Sequence, residues 1–493
     1  MSYAAAIDQL SAMAPELYSH PGQPRRKFSL NEVRTLLASL GNPHRRFRSV
    51  LIAGTNGKGS TAATLASILV ATGARVGLYT SPHLERVNER IRIGNSEIAD
   101  DDFARLYFRV HQAAQQLVQQ GSLPQHPSFF EILTAMAFLH FAEAEVDLAV
   151  LEVGMGGRLD ATNVVDPLLS IITDISLDHT EWLGSTIAAI AREKAGILRQ
   201  GGTLIRLPQF TEADDVLDEI SKDLSVRTIE AIDYLPEGLG APDPGFPDPG
   251  FPDPGFPGPG FPQIGLHPWG APGPSHLGTR ENITQIESQI AAEASPYTVT
   301  VLGSSVEVSS PLTGAHQRRN IALAITAAVE LAGDFGFHIT PYQISEGIRQ
   351  TVWPGRLERI SSRGVEWVLD VAHNPAGVWA VRGGMTCVPG GRKAQTLVFS
   401  CLRDKPLTQM AQILFPYFEQ IVLAPIHSAR AASMEDLVAA AKLTETPFFV
   451  AESVAAALQL ARKHTSSGPI IVCGSVYLVG EARSLLLAEG GIA

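Results

Sequence analysis

Cysteine is scarce in this chain. The three present, Cys387, Cys401 and Cys473, lie far apart, so there is no CxxC or other metal spacing, and an odd count suits no disulfide framework. A reducing, cytoplasmic setting is the expectation. Basic charge is in deficit: 38 Lys and Arg stand against 50 Asp and Glu, a formal net charge of −12. A dedicated binder of nucleic acid or of an anionic membrane carries the opposite balance, so neither partner is expected. A local basic site for a phosphorylated ligand stays open. No unbroken run of 18 apolar residues occurs, so no membrane span is expected. The opening MSYAAAIDQLSAMAPELYSH carries Asp8 and Glu16 and no basic stretch, and does not read as a secretory signal.

What is present is a long chain with an ordinary apolar content. At 493 residues and 45% hydrophobic, it is too apolar for wholesale disorder and has room for more than one core. One stretch departs from this. The pentamer PDPGF recurs three times from Pro242 and is followed by PGPGF, and 12 Pro and 8 Gly fall between Ala241 and Pro274. Such a segment lacks the N–H groups for a sheet and cannot propagate a helix. It reads as a disordered or polyproline-like insertion at about 236–280, with a docking peptide built on its Phe residues as the alternative.

Two globular blocks remain. In the first, residues 1–310, RSVLIAG (Arg48–Gly54), ARVGLYT (Ala74–Thr80), DLAVLEVG (Asp147–Gly154) and LLSIITDI (Leu168–Ile175) are short apolar runs that read as buried strands. Ser60–Thr72 and the nearly all-apolar Phe129–Ala142 read as helices. In the second, residues 311–493, EWVLDVA, TLVFSCL, QIVLAPI and PIIVCGS are strand-like, helical patterns lie between them, and Asn320–Leu331 reads as a helix. The break is placed in the turn-like SSPLTG (Ser309–Gly314). Apolar strands alternating with helices imply an α/β fold with parallel sheets, whose ligands sit at the strands' carboxyl ends and, in two-domain chains, often in the cleft.

GTNGKGS (Gly54–Ser60) follows a strand and opens a helix. Small residues let backbone wrap a phosphate, the helix start supplies N–H groups, Lys58 a point charge and Ser60 a hydroxyl for a magnesium shell. The spacing departs from G-x-x-x-x-G-K-[ST], because the first Gly stands four residues before the Lys and a further Gly precedes Ser60. Ile187, Ile190, Ala191, Lys194 and Leu198 share one helical face. A lysine on an apolar stripe either loses its charge through burial or snorkels its ammonium to the surface.

Further motifs follow the other strands: TSPHLERVNERI (Thr80–Ile91), EVGMGGRLDATN (Glu152–Asn163), DHTEWLG (Asp178–Gly184) and REKAGIL (Arg192–Leu198). The second block carries GAHQRRN (Gly314–Asn320), WPGRLE (Trp353–Glu358), LDVAHNP (Leu369–Pro375), FSCLRDKP (Phe399–Pro406) and VCGSVYLVGE (Val472–Glu481). Together these resemble the folylpolyglutamate synthase/dihydrofolate synthase family of the Mur ligases over nearly the whole chain outside the insertion. The resemblance implies an N-terminal P-loop-type Mur-ligase ATPase domain and a C-terminal, Rossmann-like glutamate-ligase domain. It also implies Mg²⁺ held by Ser81, Glu152 and His179, an oxygen-rich set suited to that ion. ATP as co-substrate would lie on Asn56, Gly57, Lys58, Gly59 and Ser60, with Asn320, Arg356, Asp370 and His373 from the later motifs. The pteroate or folate would meet Ser128, Phe129, Phe130 and Glu131, and Leu159, Asp160 and Ala161. The Ser in SFFE stands where the family's pattern has Thr. Core packing is the other reading of the two Phe residues, and capping or first-turn solvation that of Asn320. Lys194 would be an N6-carboxylysine, and Lys58, Lys194 and His179 would serve catalysis.

The activity implied is addition of L-glutamate to dihydropteroate and to the glutamate tail of reduced folates, through an acyl phosphate, by a cytoplasmic monomer with small-molecule partners only. The alternatives are a folylpolyglutamate synthase alone, a cell-wall Mur ligase, a non-specific ATPase, and a nucleotide-binding interaction module without catalysis.

Overall fold

The computed structural model describes residues 2–13, 29–236, 296–385 and 396–490. Cys387 and the Pro/Gly array lie outside the described residues. The first sheet contains β1 (Arg48–Ala53), β2 (Val76–Tyr79), β3 (Ile91–Ile93), β4 (Ser96–Glu97), β5 (Leu148–Glu152), β6 (Leu169–Ile172), β7 (Thr203–Arg206) and β8 (Arg227–Glu230), in the order β4-β3-β2-β5-β1-β6-β7-β8. All pairings from β2 to β8 are parallel, and β3 and β4 extend one edge antiparallel. The central strands are apolar throughout because helices cover both faces: Val50, Leu51, Ile52, Leu148 and Val150 are fully buried. β1 lies between β5 and β6, with Val50 opposite both Val150 and Leu169. Its carboxyl end is therefore the place where successive crossovers diverge and leave a crevice.

The Lys58–Ala71 helix starts two residues before the apolar pattern suggests, because Gly57 turns the chain with φ 92° and supplies its cap. The Phe129–Glu143 helix is buried almost all round, as its lack of a polar face predicts. Phe138 and Phe141 on it are fully buried, each contributing roughly 1.5–3 kcal/mol of burial free energy.

The second sheet contains β11 (Glu358–Ser362), β12 (Val365–Asp370), β13 (Thr396–Phe399), β14 (Gln420–Leu423), β15 (Phe448–Val450) and β16 (Ile470–Cys473), after a hairpin of β9 (Tyr297–Val301) and β10 (Ser304–Val308). Its order is β11-β12-β16-β13-β14-β15. The four strands read from the sequence form its contiguous parallel centre. β11 and β15 flank them, and β11 pairs antiparallel with β12. Edge strands are half-exposed, so they lack the apolar run that marks the centre.

The described residues form two compact units. Residues 2–236, Thr298–Val308 and Arg319–Thr351 make the first, and most of the remainder the second. Sequence reading placed the Asn320–Leu331 helix beyond the break, in the second block. The helix observed is Ala315–Asp334, and from Arg319 onward it packs with the first unit, as does the Pro341–Arg349 helix. The first is tied there by ion pairs of Arg319 with Asp174 and of Glu330 and Asp334 with Arg227, the second by a close backbone approach. Gly347 lies so near the Lys58–Ala71 helix that a Cβ there would meet Ile68 Cα at 2.3 Å, and Ser67 Oγ donates to the Gly347 carbonyl at 2.6 Å. Among the described residues no helix is long and apolar enough to cross a membrane.

Candidate active site

The loop after β1 is built on a single wall, the segment that continues β6. The Asp174 carbonyl accepts from Thr55 N at 2.8 Å and Asn56 N at 3.2 Å. Thr55 Oγ1 donates to the Ser176 carbonyl and accepts from Ser176 N, both at 3.0 Å. Gly57 then takes its left-handed turn against Asn320, where a Cβ would meet Asn320 Oδ1 at 2.1 Å. Asn320 is only 3% exposed, so the first-turn solvation reading of this residue fails. Gly59 and Ser60 follow in the first turn of the helix and are buried.

Two lysines converge on one oxygen. Lys58 Nζ donates to the carbonyls of Gly54 and Thr55, at 3.0 Å each. Lys194 Nζ donates to the same Gly54 carbonyl at 2.6 Å. Lys194 is 3% exposed, and Ile187, Ile190 and Ala191 are buried beside it on the Ile187–Ala195 helix. The snorkelling alternative is thereby excluded. Burial pushes its amine well below the usual lysine range, the neighbouring Lys58 charge pushes the same way, and Asp178 and Asp160 oppose it weakly. A neutral amine is a nucleophile.

Glu152 closes β5 with its side chain 4% exposed, and its Oε2 accepts from Ser81 N at 2.9 Å. His179 opens a short helical turn in a left-handed conformation, φ 51°, with Nε2 4.0 Å from Asp178 Oδ2. Among the described residues no three His, Cys, Asp or Glu side chains form a cluster able to hold an ion by themselves. Ser81 and Glu152 meet, and with His179 they offer a hydroxyl, a buried carboxylate and an imidazole, donor types of the partial kind that Mg²⁺ accepts, since this ion keeps waters and phosphate oxygens as its other ligands. The donor set therefore fits.

The expected pteroate residues divide. Ser128 and Glu131 form a capping box: Glu131 Oε2 accepts from Ser128 N at 2.6 Å, and Ser128 Oγ accepts from Glu131 N at 3.3 Å. Phe130 is 3% exposed and packs on Tyr79 with ring centroids 5.8 Å apart, which is what its core-packing reading requires. Phe129 is half-buried, with the Arg90 guanidinium 5.2 Å from its ring centre. Leu159 is half-buried and Ala161 buried. Asp160 turns inward, accepting from Met155 N, Thr162 N and Thr162 Oγ1 at 3.0, 2.9 and 2.5 Å. Desolvation raises its pKa against those hydrogen bonds. Its carboxylate shapes the loop.

In the second unit Asp370 ends β12 and is 5% exposed. Its oxygens accept from Leu357 N at 2.9 Å and Ala372 N at 2.8 Å. Burial raises its pKa, and the Arg356 charge pulls the other way. Arg356 Nη1 donates to the Gly355 carbonyl at 3.0 Å. His373 Nδ1 lies 2.8 Å from the Val371 carbonyl, which only accepts, so the neutral ring carries its proton on Nδ1. Sequence reading missed Asp174 and Arg319. The first acts through its backbone as well as its side chain, and the second was hidden beside the more conspicuous Asn320.

Comparison with known proteins bears on both units. The model of the Mur ligase middle domain matches residues 52–234, and that of the Mur ligase glutamate ligase domain matches 355–476. The chain is 32% identical to a folylpolyglutamate synthase of Lacticaseibacillus casei over 456 residues, covering 92% of this chain and 94% of the relative. It is 31% identical over 468 residues to a dihydrofolate synthase/folylpolyglutamate synthase of Bacillus subtilis, covering 93% and 95%. A Mycobacterium tuberculosis folylpolyglutamate synthase solved with ADP and AMPPCP is similar in structure. It shows a TM-score of 0.78 and 29% identity, covering 98% of this chain and 99% of that one.

Proposed function

The chain belongs to the folylpolyglutamate synthase/dihydrofolate synthase family of Mur ligases, and from that premise we propose that it is bifunctional, joining L-glutamate to dihydropteroate and to the tail of reduced folates. It is an ATP-dependent ligase. The chemistry requires a carboxylate to become an acyl donor, which it is not while oxide would have to leave. A folate carboxylate oxygen attacks the γ-phosphorus, the bond to the β,γ-bridging oxygen breaks, and ADP departs with that electron pair. The glutamate amine then adds to the acyl carbon and loses a proton, and inorganic phosphate leaves with the electrons of the C–O bond.

The observation that carries this reading is the convergence of Lys58 and Lys194 on the Gly54 carbonyl. Lys58, released from the loop carbonyls, offsets charge on the β- and γ-phosphates, and the N–H groups of Gly57, Gly59 and Ser60 cradle them. Asn56 and Asn320 frame the loop. Lys194, held neutral by burial, adds to carbon dioxide and gives up a proton to become a carbamate, which sets an anion beside the Lys58 cation where a neutral amine stood. Ser81, Glu152 and His179 would hold Mg²⁺, which supplies charge neutralisation at the transferring phosphoryl group. Phe129 and the loop shaped by Asp160 and capped by Ser128 and Glu131 receive the flat pteroate. In the second unit, Arg356 neutralises nucleotide charge, and Asp370 and His373 contact the nucleoside.

Steady-state assays with dihydropteroate and with tetrahydrofolate as separate acceptors test the substrate assignment. Glutamate-dependent phosphate release is expected with both; release with tetrahydrofolate alone would make the enzyme a folylpolyglutamate synthase only. Oxygen-18 in the acceptor carboxylate is expected to appear in inorganic phosphate, and product without that transfer would overturn the acyl phosphate.

A further inference from the structure

Arg319 stands immediately before Asn320 and is 5% exposed. Its Nε donates to both oxygens of Asp174 at 3.1 and 3.2 Å, and its Nη2 donates to Asp174 Oδ1 at 2.7 Å and to the Pro208 carbonyl at 3.0 Å. The same Asp174 accepts the N–H groups of Thr55 and Asn56 through its backbone carbonyl. A closed circuit results. The nucleotide loop hangs on the Asp174 backbone, the Asp174 side chain is clamped by Arg319, and the next residue, Asn320, lies against Gly57 at the other end of the loop. The clamp spans 145 residues of sequence.

We propose that the Arg319–Asp174 ion pair is a positioning device that holds the phosphate-binding loop and Asn320 in the register that binds the nucleotide. The inference rests on the ligase reading for the identity of that nucleotide. Arg319 is a positioning residue, acting on ATP through the loop and through Asn320. A planar guanidinium meets both carboxylate oxygens and a third carbonyl in one fixed fork, whereas an ammonium is a point charge without that geometry, so lysine is a partial substitute. Because both partners serve one strut, breaking either should cost what breaking both costs.

The test is ATP·Mg²⁺ binding by calorimetry, with KM values for ATP, folate acceptor and glutamate. Arg319→Met is expected to raise the dissociation constant for ATP about tenfold, with KM for the folate acceptor and for glutamate changed less than about twofold. Asp174→Ala should match it, the double variant should be no worse than either, and Arg319→Lys should fall between Arg319→Met and the wild type. Wild-type ATP affinity in a folded Arg319→Met protein, multiplied losses in the double variant, or a folate KM rising in step with that for ATP would each overturn the proposal. If circular dichroism shows Arg319→Met to be unfolded, Arg319→Lys and Asp174→Asn decide, and unchanged ATP affinity in both refutes it. A wild type that binds ATP but makes no amide would refute the ligase reading and leave this inference to stand on the binding data.

Discussion

The two units hold their candidate site residues in opposite ways. In the first, the partners are remote in sequence: Lys194 reaches Gly54 across 140 residues, Thr55 and Ser176 are 121 apart, and Arg319 and Asp174 are 145 apart. In the second, Asp370 is held by backbone 2 and 13 residues away, and His373 by a carbonyl 2 residues away. The first site exists only when the whole sheet has formed. The second is fixed by two adjacent turns. Substitutions in the first unit should therefore act on one another, and those in the second should act alone.

The largest test of that contrast is Lys58→Ala. Turnover should fall about 10³-fold, since the cation proposed to offset charge on the transferring phosphoryl group is lost. Lys194→Ala comes next, with a loss of about 10²-fold in kcat and partial recovery on adding short carboxylates such as acetate or formate. Wild-type enzyme stripped of carbon dioxide should also lose activity. Burial depresses the Lys194 pKa, so the amine is neutral above that depressed value and gains a proton as pH falls through it. Bicarbonate should then restore activity at any pH above that depressed value, and no recovery on adding it back to the stripped enzyme would break the carbamate reading. Asp370→Asn is the smaller, local case. One backbone N–H then faces an NH2 donor and loses its acceptor, and KM for ATP should rise about tenfold without altering the effect of any first-unit variant. Deleting residues 241–274 should change kcat less than about twofold, because a chain excursion of that composition adds little to either core. A large loss would show that the array reaches the chemistry.

The same contrast decides what could be read from the sequence. The central strands of both sheets were legible, because strands buried on both faces are unbroken apolar runs. So was the apolar stripe of Ile187, Ile190 and Ala191 that carries Lys194, although burial and snorkelling both remained open until the structure showed the buried amine. The half-exposed edges β11 and β15 left no such trace. Ser128 and Glu131 spell a capping box, S-x-x-E, as plainly as they spell a ligand loop, and the hydrogen bonds show the box. Asp160 likewise turned out to serve its own loop. Arg319 and Asp174 were out of reach for another reason: no periodicity or motif ties two residues that far apart, and only the packing of the Ala315–Asp334 helix against the segment after β6 brings them together.

The backbone contact at Gly347 has a mechanical consequence. The Lys58–Ala71 helix lies over the sheet on one side and touches the Pro341–Arg349 helix, at van der Waals range, on another. It is a fixed leaf, and Gly54–Gly57 in front of it is pinned in turn by the Asp174 carbonyl. Little is left to order when a triphosphate arrives, and the ordering entropy that binding must overcome is correspondingly small. A side chain at position 347 would loosen the leaf itself and spread that adjustment through fourteen more residues.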